Sequence, residues 1–441
     1  MDASAPPCSE LSAGTGSSPA ISSAENGSGL LASYRAVRGA TEALCRPLEI
    51  EDYVVQSMPD VSPVKWHLAH TSWFFETFLL VPQNPRYKVF HPQYSYLFNS
   101  YYEAVGDRCA RPSRGLLSRP TVREVYDYRR YVDEAMHQFL EKTPSSILRS
   151  LKPVIELGFH HEQQHQELML TDIKHVFSLN PLHPVYQESP RKTSVTPAPV
   201  RWLTFDGGVR RIGHEGAGFA FDNESPRHQA LLEPFRIASR LVTNAEYLAF
   251  MEDGGYRRPE NWLSDGWMTA QQQQWQAPLY WTRQDGRWWH HTLAGFRPVE
   301  PAEPVCHVNY FEADTFARWA GARLPSEAEW EVASGTVPVD GRFVEAGFFH
   351  PQPAAPAAEE LQQMFGDVWQ WTCSPYIGYP GFKPVAGALG EYNGKFMCNQ
   401  FVLRGASCAT PRSHARRTYR NFFPPAARWQ FTGIRLAEDI S

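Results

Sequence analysis

The sequence predicts an α+β chain in two parts, a four-helix bundle followed by a loop-rich mixed domain. Three observations carry this. Before about residue 180, four long stretches have the apolar spacing of helices; residues 181–200 hold five prolines and little apolar pattern; and from Arg201 onward the chain changes to short strand-like runs broken by turns. At 441 residues the chain also exceeds one typical core, which favours two domains.

Residues 1–28, rich in Ser, Ala and Gly, read as a disordered tail; they lack the basic start and apolar block of a secretory signal. The first helix is expected at 30–56. Ser62-Pro63 offers a start for the second, with Ser as N-cap and Pro at the first helical position, and the run 64–80 is heavily apolar and therefore buried. Residues 121–140 and 145–179 give the third and fourth helices. Four such helices within 29–180 make a bundle, a scaffold that builds metal sites from side chains on facing helices. The section between helices two and three is long and carries Phe98-Asn99-Ser100-Tyr101-Tyr102-Glu103, then Arg108, Arg111, Arg114 and Arg119. Irregular segments of this length inside a domain are often functional; the plain alternatives are packing for the tyrosines and a solvated loop for the arginines. Residues 181–200 form a semi-rigid linker and the domain boundary. In the second domain, 201–441, helices are expected at 243–251, 311–319 and 326–333, with no internal repeat, and 340–435 reads as irregular, held by aromatic packing and turn chemistry.

A net charge of -5 with both signs interspersed leaves no basic stripe, which argues against nucleic acid as a partner. No stretch approaches the roughly 20 apolar residues of a membrane span. The seven cysteines include no CxxC pair, which favours a reducing, cytoplasmic compartment over a disulfide framework. Aromatics reach 13% with 14 Trp, more than a plain bundle needs, and point to an aromatic core or pocket.

The residues with the clearest chemistry are His161 and His165 in His161-Glu162-Gln163-Gln164-His165. Four apart on a helix, their Cβ atoms lie roughly 5–6 Å from each other, which suits two imidazoles converging on one metal. The bland reading is a polar helix face. The apolar neighbours Leu157, Leu168, Met169 and Ile173 make the helix partly buried, where unpaired histidines are costly. His67 and His70 lie on one side of the second helix. Either can be the third ligand, and the other is then a core histidine bonded to backbone or carboxylate.

The second domain resembles the formylglycine-generating (sulfatase-modifying factor) family, with its C-type-lectin-like fold. The residues that carry the likeness are Val242-Thr243-Asn244-Ala245-Glu246-Tyr247, Pro304-Val305-Cys306-His307-Val308-Asn309, Ala322-Arg323-Leu324-Pro325-Ser326-Glu327-Ala328-Glu329-Trp330-Glu331, Gly366-Asp367-Val368-Trp369-Gln370-Trp371-Thr372, Leu403-Arg404-Gly405-Ala406-Ser407 and Gly433-Ile434-Arg435-Leu436-Ala437. The sulfatase activators bind copper through a cysteine pair; Thr410 and Ala415 stand at those positions here, so that chemistry is not expected. The first domain resembles the DinB-like metal-binding bundles. Together, with Trp66-His67-Leu68-Ala69-His70 and the HxxxH pair, the two domains resemble the ergothioneine-biosynthetic sulfoxide synthases of the EgtB type over about residues 30–438.

That resemblance implies a non-haem Fe(II) enzyme. It would join the sulfur of cysteine or γ-glutamylcysteine to C2 of the hercynine imidazole, with O2, to give a sulfoxide. It puts the metal on His70, His161 and His165, three neutral imidazoles that leave coordination positions open for two substrates and O2, by analogy with facial-triad iron sites. It puts hercynine against Gln164, Asn421 and Phe422; the trimethylammonium offers no donor hydrogens, so polar oxygens and aromatic faces must hold it. The plain reading of Asn421 is a turn residue. Members selecting γ-glutamylcysteine commonly read Asn-Trp-Asp, whereas this chain reads Asn421-Phe422-Phe423. A phenylalanine cannot pair with an ammonium, so free cysteine is the expected sulfur donor, its carboxylate held by Arg111 or Arg114. The family uses a tyrosine as proton donor; Tyr101 and Tyr102 are the expected pair, with Tyr376 and Tyr379 as the alternative from the second domain.

Two further readings compete. HExxH is also the zinc-peptidase signature with Glu as base, here Glu162, but its longer form with a following Gly and third His is absent. An ovothiol-type synthase, which joins cysteine to C5 of histidine, usually adds a C-terminal methyltransferase domain. No such domain follows the second domain in this sequence, so the ergothioneine side is expected.

Overall fold

The computed structural model describes residues 27–189, 198–356 and 360–440. The expected tail lies outside them except for its last two residues, which open the first helix, and residues 190–197 of the expected linker lie outside them as well.

The bundle consists of α1 (Gly27–Cys45), α2 (Val64–Phe75), α3 (Val122–Lys142) and α4 (Ser145–Ser178). The first helix ends well short of the expected residue 56. Pro47 restrains Arg46 away from the helical region and brings no N–H of its own, and Tyr53 folds back to donate its hydroxyl to the Cys45 carbonyl at 2.9 Å. Every residue of α2 is buried, and the helix runs on through a π turn at Glu76–Leu80. Ser62 does not cap it. Pro63 takes the cap position, and the Ser62 hydroxyl accepts from Arg114 Nη1 at 2.9 Å instead. Thr121 and Glu124 form a capping box at the start of α3. Gly158 lets α4 close on α2: a Cβ there would stand 2.5 Å from the Phe75 ring. That close approach lies one turn before His161.

The second domain is built of small sheets. Trp202–Phe205, Phe235–Ala238 and Ala437–Asp439 form one, joining its first and last strands through a common neighbour. Asn421–Phe423, Phe401–Arg404, Trp369–Pro375 and Thr432–Gly433 form another, so residues 340–435 are not irregular throughout as expected. These strands are two to seven residues long, too short and interrupted for alternation to be read from sequence. Helices Asn244–Glu252, Tyr310–Trp319 and Glu327–Ser334 lie close to the expected positions, each opened by a capping box from Thr243, Asn309 and Ser326. Helix Ser264–Gln272 was not anticipated; its residues carry Gly and Gln where an apolar stripe would be sought.

The two domains meet along α4. Glu167, on that helix, accepts from Trp369 Nε1 at 2.8 Å, Ser407 Oγ at 2.5 Å and Thr410 Oγ1 at 2.6 Å. Thr410 thus ties the second domain to the helix bearing His161 and His165. No helix among the described residues is long and apolar enough to cross a membrane.

Candidate metal centre and substrate pocket

His70, His161 and His165 are all buried, and each offers a ligand atom within 4.8 Å of the others. Hydrogen bonds set the tautomers of His70 and His165. His70 Nδ1 lies 2.6 Å from the Phe98 carbonyl and must donate to it, which leaves a lone pair on Nε2, 3.1 Å from His161 Nε2. Asp172 Oδ2 lies 3.0 Å from His67 Nε2 and accepts a hydrogen bond from it, so His67 Nδ1 accepts from His165 Nδ1 at 2.8 Å. His165 Nε2 is then unprotonated. Of the two candidates on α2, His67 is therefore the histidine bonded to a carboxylate, and His70 stands with the HxxxH pair.

Burial, and then the neighbouring imidazoles, hold His70 and His165 well below the ordinary histidine range, and burial takes His161 to about 3. Three neutral imidazoles are the form a metal requires. His161 Nδ1 is buried without a partner and its Nε2 faces the His70 lone pair at 3.1 Å, so with the His161 proton on Nδ1 both lone pairs point at one place, where a cation would hold them. Bonds of about 2.1 Å to one ion give ligand–ligand edges of about 3 Å, which this nest supplies. The donor set fits a metal.

Glu162 takes no part in the nest. Its carboxylate is buried between two arginines of the bundle, Arg38 Nη1 at 2.9 Å and Arg129 Nη2 at 2.7 Å, with Thr41 Oγ1 at 2.6 Å. Burial alone would raise its pKa, but Arg129, Arg38 and Thr41 outweigh that and hold it at about 2. A carboxylate so engaged cannot serve as a peptidase base, and the HExxH peptidase reading fails here.

The nest opens onto a cavity of about 210 Å³ between the domains. From the first domain its wall takes Asp60, Trp66, Tyr101, Arg111 and Arg114; from the second it takes Tyr419, Asn421, Phe422, Phe423 and Trp429, with Gln164 on α4 between them. Arg420 is fully buried and grips Glu327 with Nε at 2.8 Å and Nη2 at 2.9 Å, which fixes the start of strand Asn421–Phe423. Asn421 is thus a strand residue, paired with Leu403, rather than a turn residue. Phe422 stacks on Tyr376 with ring centroids 4.0 Å apart.

The expected tyrosines separate. Tyr101 is half-buried and lines the cavity, whereas Tyr102 is fully buried behind it, against Trp73 and Phe78 at 5.6 and 5.1 Å. Tyr376 accepts from Asn223 Nδ2 at 2.9 Å and Tyr379 packs under Arg420 at 3.9 Å; neither lines the cavity. The arginines separate too. Arg111 is exposed at the cavity rim. Arg114 is buried with its guanidinium 3.4 Å above the Trp66 ring, and burial, then Arg111, disfavours its charge.

Several pocket residues were not anticipated. Gln164 is held at both ends of its amide by the second domain: Tyr392 donates to Oε1, and Nε2 donates to Tyr419 Oη at 2.7 Å. The Tyr392 ring lies 5.8 Å from that of His161. Tyr419 lies two residues before strand Asn421–Phe423 and lines the same cavity as Asn421. Tyr392 sits in Gly390-Glu391-Tyr392-Asn393-Gly394, which offers no signal of a site. Asp60, in the loop before α2, also lines the cavity and was not singled out from the sequence.

The DinB superfamily matches residues 33–169, and the sulfatase-modifying factor enzyme 1-like domain matches residues 187–352 and 345–440. Fold and nest together define a two-domain protein, a DinB bundle carrying three histidines and a sulfatase-modifying-factor-like domain that closes the pocket. Hercynine oxygenase from Mycolicibacterium smegmatis is 31% identical, over 91% of this chain and 97% of its own. Hercynine oxygenase from Mycobacterium tuberculosis is 33% identical, over 90% and 97%. Ergothioneine biosynthesis protein 1 from Schizosaccharomyces pombe is 26% identical over 50% of this chain and 28% of its own. The chain belongs to the hercynine oxygenase family, the EgtB-type sulfoxide synthases.

Proposed function

We propose that this chain is a non-haem Fe(II), O2-dependent sulfoxide synthase that joins the sulfur of cysteine to C2 of the hercynine imidazole. The observation that carries the reading is the juxtaposition of three buried neutral imidazoles with a cavity whose two walls differ in chemistry. Fe(II) on His70, His161 and His165 supplies the redox chemistry with O2 and a common meeting point for both substrates.

The protein's own groups do the rest. On the second-domain wall, Phe422 and Trp429 present aromatic faces suited to a trimethylammonium. Gln164, its amide fixed by Tyr392 and Tyr419, and Asn421 supply polar atoms toward the hercynine ring and carboxylate. On the first-domain wall, Arg111 and Arg114 form a cationic pair to which a substrate carboxylate would bring the missing anion. Asp60 lines the same wall. No hydrogen bond or ion pair with a described residue engages its carboxylate, which leaves it available to the ammonium of cysteine. Phe423, at the place where dipeptide-selective relatives carry an acid, supports cysteine over γ-glutamylcysteine. Burial raises the Tyr101 phenol above its ordinary pKa, so it keeps its proton at neutral pH and can donate it into the cavity.

The test is anaerobic Fe(II) loading followed by O2, hercynine and cysteine. The expected product has the mass of both substrates plus one oxygen less two hydrogens, the second oxygen leaving as water, and has lost the imidazole C2–H signal in its NMR spectrum. No adduct, or an adduct at C5, overturns the reading.

A further inference from the structure

A second group of donors lies in the core of the second domain, remote from any role in the reaction above. His290 on strand Arg287–Thr292, Glu303 in the loop before Cys306, and His350 each offer a ligand atom, all within 4.8 Å of one another. All three residues are at least nine-tenths buried: His290 is 5% exposed, Glu303 1% and His350 4%. His350 Nε2 stands 3.0 Å from Glu303 Oε2, close to the 3.1 Å between His70 and His161, and the His290 and His350 rings lie 5.1 Å apart, nearly perpendicular.

Hydrogen bonding within the protein satisfies Glu303 and one nitrogen of His350 but leaves the rest of the group unpaired. His290 Nε2 is buried without a partner, and so is His350 Nδ1; His291 Nδ1 and Nε2 beside them are equally unpartnered. Leaving such atoms unpaired in a low-dielectric core is costly. A buried water is the usual remedy, but the space these rings line has a volume of about 0 Å³ for a water molecule. A bare ion is smaller than water. Arg297 Nη2 donates to both Glu303 oxygens, at 3.0 and 2.9 Å, and fixes the orientation of the carboxylate, the part an outer partner plays for a ligating carboxylate. Burial, and then the neighbouring His350 imidazole, hold His290 well below the ordinary histidine range, and burial takes His350 to about 3 against the opposing pull of Glu303, so both rings are neutral.

We infer that His290, Glu303 and His350 form a second metal site, a closed one that takes zinc and joins three separate segments of the second domain. Two imidazoles and a carboxylate are a borderline-hard donor set that suits Zn²⁺. Having no room for a substrate, the site is structural. It lies beneath α4, whose Lys174 reaches into the same region to bond His307 Nε2 at 2.6 Å. A zinc there would stiffen the surface on which the helix bearing His161 and His165 rests.

The test is zinc content of the untagged full chain after loading with zinc and desalting. The wild-type chain should retain two equivalents and the variant H161A/H165A one, because that variant loses only the first site. Adding H350Q should remove the remaining equivalent. With Co²⁺ in place of zinc, H161A/H165A should show the visible absorption of a low-coordinate ion, altered by E303Q. Retention of no metal by a folded H161A/H165A chain overturns the inference, as does one equivalent that survives H350Q unchanged. The first of these outcomes needs no substitution in the proposed site, so it stands even where H350Q fails to fold.

Discussion

His67 Nδ1 lies 2.8 Å from His165 Nδ1, and the other nitrogen of His67 lies 3.0 Å from Asp172 Oδ2. The carboxylate on α4 thus sets the tautomer of a histidine on α2, which in turn sets the tautomer of a histidine back on α4. Asp172→Asn removes the acceptor that commits His67 Nε2 to donate. Metal affinity should fall about 10- to 100-fold, the usual effect of losing an outer partner of a ligating histidine. Anaerobic titration with Fe(II), alongside a thermal melt to show that the bundle is intact, measures it. Unchanged affinity would mean that His165 does not present Nε2 to the metal.

Glu162 supports a prediction of the opposite kind, on stability rather than metal. Glu162→Gln leaves each of the buried Arg38 and Arg129 with one carboxylate partner in place of two, Asp133 and Glu42 respectively. Breaking one partner of such a buried group costs about 3–5 kcal/mol, which urea unfolding would read. The pH dependence follows from the same geometry. The folded-state pKa of Glu162, about 2, lies below its ordinary 4.5. The unfolded chain therefore takes up the proton first, and stability present above pH 4.5 is lost as the pH falls toward 2. The variant should lose that part of the acid sensitivity. An acid profile identical to wild type would count against the pairing.

What could be read in the sequence followed the range of the interactions. Helices α2 and α4 announce themselves by continuous apolar character and by HxxxH spacing, both local properties. The end of α1 was misplaced because periodicity outlasts the helix; Pro47 and the return of Tyr53 to Cys45 end it. Residues that meet only through tertiary structure left no trace. Tyr392 is 228 positions from Gln164, to which it donates, and Asp60 sits at the cavity only because the loop before α2 folds over it. Arg114 looked like one of several loop arginines, and only its place over Trp66 distinguishes it from Arg111.

The clamp on Gln164 predicts how the second domain contributes to binding. Tyr392→Phe frees Oε1 and lets the amide turn. A hydrogen bond of this kind is worth about 0.5–1.5 kcal/mol, so KM for hercynine should rise about 3- to 10-fold with KM for cysteine unchanged. Tyr419→Phe should act alike, and the two should combine with Gln164→Ala less than additively, since all three remove one interaction. A rise in the KM for cysteine instead would place Gln164 against the wrong substrate.

The choice of sulfur donor rests on where the cavity keeps its carboxylates. Asp172 is committed to His67 and the Ser62 N–H, and Glu167 to Ser407, Thr410 and Trp369. Asp60 alone of the three carboxylates in the wall is not so engaged, and Arg111 stands on the same wall. Asp60→Asn should therefore lower kcat/KM for cysteine about 10- to 100-fold, the range of a charge-assisted bond, and leave KM for hercynine unchanged. Phe423→Asp tests the complementary point, because it restores an acid on the opposite wall, where dipeptide-selective relatives carry one. That substitution should raise kcat/KM for γ-glutamylcysteine relative to cysteine. If the wild-type chain already prefers the dipeptide, the ammonium finds a partner other than Asp60, and the assignment of Phe423 as the residue that sets the preference fails with it.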